Sequence, residues 1–342
     1  EDLGWQTEIT AEDFDSRQWK LSLPEVRGST RFKGRGSLQT ASITGSAELE
    51  RSDTGPFSAK YQLQWTGERR IGIQALELNF PEAAMQLAAR GDWQPGEQGG
   101  RVDLALQWQN LHWPLVEPAW FTSETGQGHL LGGINDYRFR VETSRPLAQL
   151  PQSDWQAVGT GNLERVHFEQ LRIDTLDGSI EARGELNWQD ALAWRAEVSA
   201  RNINPGRLYA DWPGRLNAEL INSGSLSDGK IDSRLQVTKM DGELSGCPVT
   251  LSSRMHWHHD GLDIEAMDFQ SAASTLQVSG RIDQEMDLDW SLDSANLSEL
   301  VPDIQGQLQA TGKLLGNRQQ PKIRARVNGK NLAYLDYQVA AV

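Results

Sequence analysis

The sequence holds a single cysteine, Cys247, so no internal disulfide can form and a disulfide-stapled scaffold is excluded. Long apolar runs are missing as well. No stretch of about 18 apolar residues occurs, and with it goes the prospect of a transmembrane helix. Cations are scarce, with 33 Lys and Arg against 47 Asp and Glu and a net charge of -14. A field of that sign argues against nucleic acid and against electrostatic docking to anionic membranes. Sustained helical periodicity is absent. There is no signal-peptide pattern. The chain begins at Glu1 without a Met and stops in "YLDYQVAAV" while alternation is still running, which reads as a segment of a longer chain.

Catalytic motifs are equally sparse. Gly34/Gly36, Gly126/Gly128 and Gly159/Gly161 form Gly-x-Gly pairs without a third glycine or a following helix, so they read as strand glycines, not nucleotide loops. "DGELSG" contains Ser245 but lacks the G-x-S-x-G elbow. "MHWHHD" puts His256 and His258 on the wet face of one strand, a surface histidine pair that no Cys or carboxylate at a familiar spacing completes into a metal site. Asn296-Leu297-Ser298 matches a glycosylation sequon at chance frequency. No catalytic residue, metal ligand or cofactor is expected, and the chain is not read as an enzyme.

What fills the sequence is alternation. In "DGSIEARGELNW", Ile180, Ala182, Gly184, Leu186 and Trp188 share one face of an extended chain, and Ser179, Glu181, Arg183, Glu185 and Asn187 share the other. The pattern recurs nearly throughout, with Gly, Asn, Asp and Ser between runs, and predicts long strands joined by hairpins. The thirteen tryptophans often close such runs, as Trp65, Trp108, Trp188 and Trp257 do. A ring there seals the rim of an apolar face while its N–H reaches water.

A longer period underlies the alternation. Met85/Leu87/Ala89/Gly91/Trp93 and Leu276/Val278/Gly280/Ile282 match Ile180 to Trp188 glycine for glycine, at separations of 93 and 96 residues. A non-alternating segment repeats as "NLHWPLVEP", "NINPGRLYADWPG" and "NLSELVPDIQG". Pro114 and Pro205 suit the first position of a one-turn helix there, and Ser298 suits a cap. "LPEVRG" at 23 and "VPDIQG" at 301 extend the series. The chain therefore divides into units of about 92–96 residues, at approximately 24–121, 122–213, 214–305 and a partial 306–342, each supplying five or six strands. It is read as one continuous groove over 1–342 without separate globular domains.

The expected fold is all-β, an elongated and curled antiparallel sheet with an apolar concave face and a few one-turn helices. Small residues recur among the Leu and Ile, too little volume for two packed faces ~10 Å apart. Glycines suit tight curling and would leave room for a ligand. The expected lining is Leu63, Met85, Leu87, Ala89, Gly91, Leu104, Leu106, Ile180, Ala182, Gly184, Leu186, Val198, Leu276, Val278, Gly280, Ile282, Leu308 and Ala310. Trp65, Trp93, Trp108, Trp188 and Trp257 are expected at the rim.

"LDGSIEARGELNWQDALAWRAEVSARNINPGRLYADWPGRLNAEL", residues 176–220, closely resembles the TamB family of the AsmA-like group. The later "LVPDIQGQLQATGKLLGNRQQPKIRARVNGKNLAYLDYQV" is also similar, and the resemblance runs more weakly through 1–154. It implies a periplasmic protein of a Gram-negative bacterium, held in the inner membrane by an N-terminal helix outside this sequence. It also implies a TamA-like outer-membrane barrel of the Omp85 type as partner, through other regions. Phospholipid movement between the membranes and assembly of outer-membrane proteins and autotransporters are the implied roles. Two other readings stay open: a scaffold that engages unfolded outer-membrane strands by β-augmentation, and a carbohydrate-binding fibre suggested by the tryptophans.

Overall fold

The computed structural model describes residues 3–16, 26–51, 55–67, 69–96, 100–113, 121–144, 153–300, 304–317, 319–334 and 337–341. Pro114, "LPEV" of 23–26 apart from Val26, and "VPD" at 301–303 lie outside them. Among the described residues the architecture is all-β and antiparallel, as expected, with twenty-two strands. Two units are distinguished, 1–163 with 169–173, and 164–168 with 174–342.

The first unit contains β1 (Trp5–Asp15), β2 (Arg27–Gly36), β3 (Thr40–Arg51), β4 (Gly55–Thr66) and β5 (Arg70–Phe80). It continues with β6 (Met85–Gln94), β7 (Arg101–Trp113), β8 (Phe121–Gly133), β9 (Asp136–Ser144) and β10 (Asp154–Gly161). Each strand pairs antiparallel with the next, from β1–β2 to β9–β10. β11 (Arg165–Thr175) is divided between the units.

The second unit holds β12 (Gly178–Asn187), β13 (Leu192–Ile203), β14 (Gly214–Ser227), β15 (Lys230–Leu244), β16 (Cys247–His258) and β17 (Gly261–Ser271). After them come β18 (Ser274–Ile282), β19 (Met286–Ser294), β20 (Ile304–Asn317), β21 (Gln320–Tyr334) and β22 (Tyr337–Ala341). These too form an unbroken meander. Among the described residues neither meander closes into a barrel. Among the described residues each strand contacts chiefly its sequence neighbours.

The repeat now has a structural meaning. Gly91, Gly184 and Gly280 lie in β6, β12 and β18, so the period of about 93 residues is six strands. Gly91 and Gly280 have φ of 146° and 128°, a region L side chains avoid. Register shifts in the preceding strands, between Ile73 and Leu76 and between Ile264 and Met267, face them. Bulge and glycine together bend a strand and raise its twist, so these glycines are bends.

One-turn helices occur at Pro205–Arg207 and Leu297–Glu299. Pro205 occupies the first turn, as expected, under an Asn204 cap. In the second helix the cap is Asn296, not Ser298. The Asn296 carboxamide oxygen accepts from the Ser298 backbone N–H at 3.3 Å and from the Ser298 hydroxyl at 2.9 Å. Asn caps as well as Ser, and it sits one residue before the first turn, where a cap must.

Candidate functional site

Strand register carries the apolar residues into continuous rows. In the second unit one row runs Gly184, Ala196, Asn222, Leu235, Met255, Ile264, Gly280, Leu288 and Leu314 across β12 to β20. A neighbouring row contains Leu276, Leu292, Ala310 and Val327. In the first unit Ile43, Leu63, Ile73, Gly91, Leu104, Leu130, Phe139 and Gly159 follow one another from β3 to β10. Met85, Leu87, Ala89, Leu106, Ile180, Ala182, Leu186, Val198, Val278, Ile282 and Leu308 lie on the same face of their units, by the same pairings. The partners between them are charged and solvated, as with Arg183, whose guanidinium meets Glu197 at 2.6 Å.

Burial along this face is graded from one strand end to the other. At one margin sit Phe80, Met85, Trp108, Ser123, Thr143 and Ser153 in the first unit, and Val249, Ser271, Ser274, Ser294 and Leu297 in the second, all buried. The Leu297–Glu299 turn closes part of that margin. The Glu299 carboxylate accepts from the Ser274 hydroxyl at 2.9 Å and the Ala273 N–H at 3.1 Å, and its carbonyl accepts from Ser271 at 2.8 Å. The opposite margin is open. In the first unit Trp93 is 37% exposed there, and in the second Trp188 and Trp257 are 43% and 55% exposed at its own open strand ends, with Leu192, Leu226 and Ile231 also exposed. Trp65 is half-buried near the same margin.

Trp108 departs from its expected place at a wet rim. It is 8% exposed, at the sealed margin, and its indole N–H donates to the Ser123 hydroxyl at 2.8 Å instead of to water. Alternation alone does not tell which strand end is open, and so could not separate Trp108 from Trp93. The small residues also differ from expectation. A Cβ on Gly126 would lie 2.2 Å from the Trp108 ring, and one on Gly224 or Gly312 within 2.6 Å or 2.9 Å of Trp194 or Trp290. Tyr61 and Tyr137 likewise cover Gly45 and Gly161. Much of the room left by glycine is therefore filled by a ring from the adjacent strand, a cross-strand pairing that stabilises glycine in sheets.

The outer face near the open margin is laced with ion pairs: Arg70–Asp92 at 2.6 Å, Arg101–Asp136 at 2.9 Å, Arg281–Asp263 at 2.6 Å and Lys313–Asp287 at 3.2 Å. The Arg281 guanidinium holds the Asp263 carboxyl below its ordinary value, with His258 and His256 assisting. Arg70 does the same for Asp92. His256 and His258 stand edge to face, centroids 5.5 Å apart, toward Asp232 and Asp263. Among the described residues no group of three His, Cys, Asp or Glu side chains is arranged to hold a metal ion. No helix among them is long and apolar enough to cross a membrane.

The family model described as TamB, N-terminal domain, matches residues 4–342. The translocation and assembly module subunit TamB of Haemophilus influenzae is 23% identical over 192 residues, which is 56% of this chain and 15% of that protein. The chain thus spans far less than two thirds of this relative's length. No solved structure matches. With the match extending over nearly every residue of the repeating meander, the chain belongs to the TamB family.

Proposed function

We propose that the apolar face is a groove for phospholipid acyl chains, part of a periplasmic path between the inner and outer membranes. On this reading the chain is a segment of an inner-membrane-anchored subunit of a translocation and assembly module. It acts with a TamA-like barrel, and outer-membrane protein and autotransporter assembly depends on it. The observation that supports the reading best is the row from β12 to β20, apolar at every position but Asn222. A two-chain lipid has ~30 methylenes, whose exposure costs up to roughly 25 kcal/mol, so a dry surface is what passage through water requires.

The test is lipid extraction and native mass spectrometry of the purified chain, with transport measured in cells. Phospholipid should co-purify. Leu186→Asp and Val278→Asp should abolish its retention and block transport, because each puts a carboxylate on the apolar face beside the row, while Glu181→Lys on the exposed face should change neither. Retention of lipid by both Asp variants would overturn the groove. Photocrosslinks from position 186 to nascent outer-membrane strands, with no lipid captured, would favour the β-augmenting scaffold instead.

A further inference from the structure

The wet face of the first unit holds a cavity of about 430 Å³ over β6 to β9, within the size class of small-molecule sites. Ala88 and Ala105 are diagonal neighbours on β6 and β7, and their methyl groups leave a low floor between longer side chains. Arg90, Ala105, His129 and Arg140 form one row across the four strands. The two arginines therefore flank the cavity from its outer strands, three strand spacings or ~14 Å apart. Among the described residues neither arginine forms an ion pair or a side-chain hydrogen bond. Carboxylates at adjoining positions of that face accept from other groups. Glu142 accepts from the Gln127 amide at 2.7 Å, Asp103 meets His129 at 2.6 Å, and Asp92 meets Arg70 at 2.6 Å.

The second unit has a cavity of about 620 Å³ at the matching place of the repeat, counted from Gly280 instead of Gly91. The row there reads Ser279, Asp289, Lys313 and Arg324. Asp289 stands where Ala105 does and binds the Lys313 ammonium at 3.1 Å, and Glu265 and Asp268 join the lining. One place in the repeat is thus lined by carboxylates in one unit and flanked by uncommitted arginines in the other.

We infer that the cavity over β6 to β9 is a binding site for a phosphomonoester group, with Arg90 and Arg140 as its binding residues. A guanidinium presents N–H donors in a fixed fork that matches phosphate oxygens. A phosphomonoester carries about -1.5 to -2 near neutral pH, a charge that two guanidinium groups balance. Donors arriving from opposite walls suit a tetrahedral anion, whose oxygens point in several directions. A planar carboxylate is gripped from one edge. The Ala88 and Ala105 floor leaves space for the organic part of the ester. The site lies on the face opposite the apolar rows, so it stands or falls independently of the groove.

The experiment titrates glycerol phosphate with the 342-residue chain at low salt and follows the phosphorus NMR line, with succinate as competitor. The line should broaden saturably. Arg90→Gln and Arg140→Gln should each weaken binding about ten- to hundred-fold, the loss of a charge-assisted contact. Lysine at either position should restore part of it, keeping the charge without the fork. Glu142→Gln removes the one carboxylate among the lining residues and should tighten binding. Arg324→Gln makes the same charge change at the matching place and should leave binding unchanged. Arg90, Arg140 and Arg324 are exposed, so their variants keep the fold. Phosphatidic acid in nonionic detergent micelles is the second arm. Binding of that lipid alone, lost in the same two arginine variants, would assign the phosphate to a lipid head, and binding of glycerol phosphate assigns it to a soluble ester. Saturable binding of neither probe, an equal loss in Arg324→Gln, or succinate binding as tightly as glycerol phosphate would overturn the site.

Discussion

Alanine at Gly280 tests whether the recurring glycines are bends. The Cβ it adds would lie 2.1 Å from the Asp287 carbonyl oxygen and 2.9 Å from the Leu288 Cα. That is about 1.3 Å short of ordinary contact, and the obstacle is backbone, which no rotamer change can move. Opening β18 from β19 by that amount takes two ladder hydrogen bonds beyond bonding distance, about 1 kcal/mol each. The φ of 128° adds about 1–3 kcal/mol of strain for a residue with a side chain. Gly280→Ala should therefore cost about 3–5 kcal/mol. Gly246 supplies the control. Its φ is 83°, but nothing lies within 4 Å of the added Cβ, so Gly246→Ala carries only the conformational term of about 1–2 kcal/mol. Urea denaturation followed by tryptophan fluorescence measures both. Equal costs for the two variants would show that the collision with β19 is illusory and that Gly280 is not a bend.

Acid should loosen the outer face. Asp92 and Asp263 are held below the ordinary carboxylate value of 3.8, by Arg70 and Arg281 respectively. Their contribution is present above that value and is lost as pH falls through the lower folded-state values. The urea midpoint should thus drop below about pH 4, and Arg281→Met should flatten its pH dependence there; an unchanged slope would remove Asp263 from the account. Glu299→Ala takes away the acceptor of the Ala273 N–H and one partner of the buried Ser274, at a cost of about 1–3 kcal/mol. Hydrogen exchange at the Ala273 amide should accelerate, and protection equal to the parent chain would contradict the role of the Glu299 carboxylate there.

The dry and wet faces were legible because strand periodicity is strictly two, so Ile180, Ala182, Gly184 and Leu186 could fall only together. The recurrence of Gly91, Gly184 and Gly280 was legible in the sequence, and at Gly91 and Gly280 a backbone conformation that side chains avoid holds the glycine in place. Two things were not. Whether a face glycine is empty or covered depends on a ring from the next strand, and Trp108 and Gly126 are 18 residues apart in sequence, so their pairing depends on strand register. Which strand end is sealed depends on where Leu297–Glu299 and the buried serines gather, and alternation is symmetric between strand ends. Asn296 rather than Ser298 as the cap is a smaller case, because either residue type caps and only position separates them.

One residue in the apolar rows is polar. Asn222 accepts the Trp194 indole N–H at 2.5 Å and donates to the Ser233 hydroxyl at 2.9 Å and the Arg234 carbonyl at 3.1 Å. Trp108, Ser123 and Thr143 form a comparable bridge in the first unit. In both, the polar atoms on the apolar face bond to one another across three strands, which leaves C–H surface toward any ligand. At these two places the apolar face offers no free polar atom. The claim makes Asn222 and Trp194 a coupled pair. Asn222→Leu strands the Trp194 N–H and should cost about 1–3 kcal/mol, whereas removing both partners avoids the stranded donor. Trp194→Phe combined with Asn222→Leu should therefore cost at least ~1 kcal/mol less than the sum of the single changes. Strict additivity in the urea midpoints would mean that the indole and the carboxamide do not satisfy each other, and the polar atoms would then be available to a ligand.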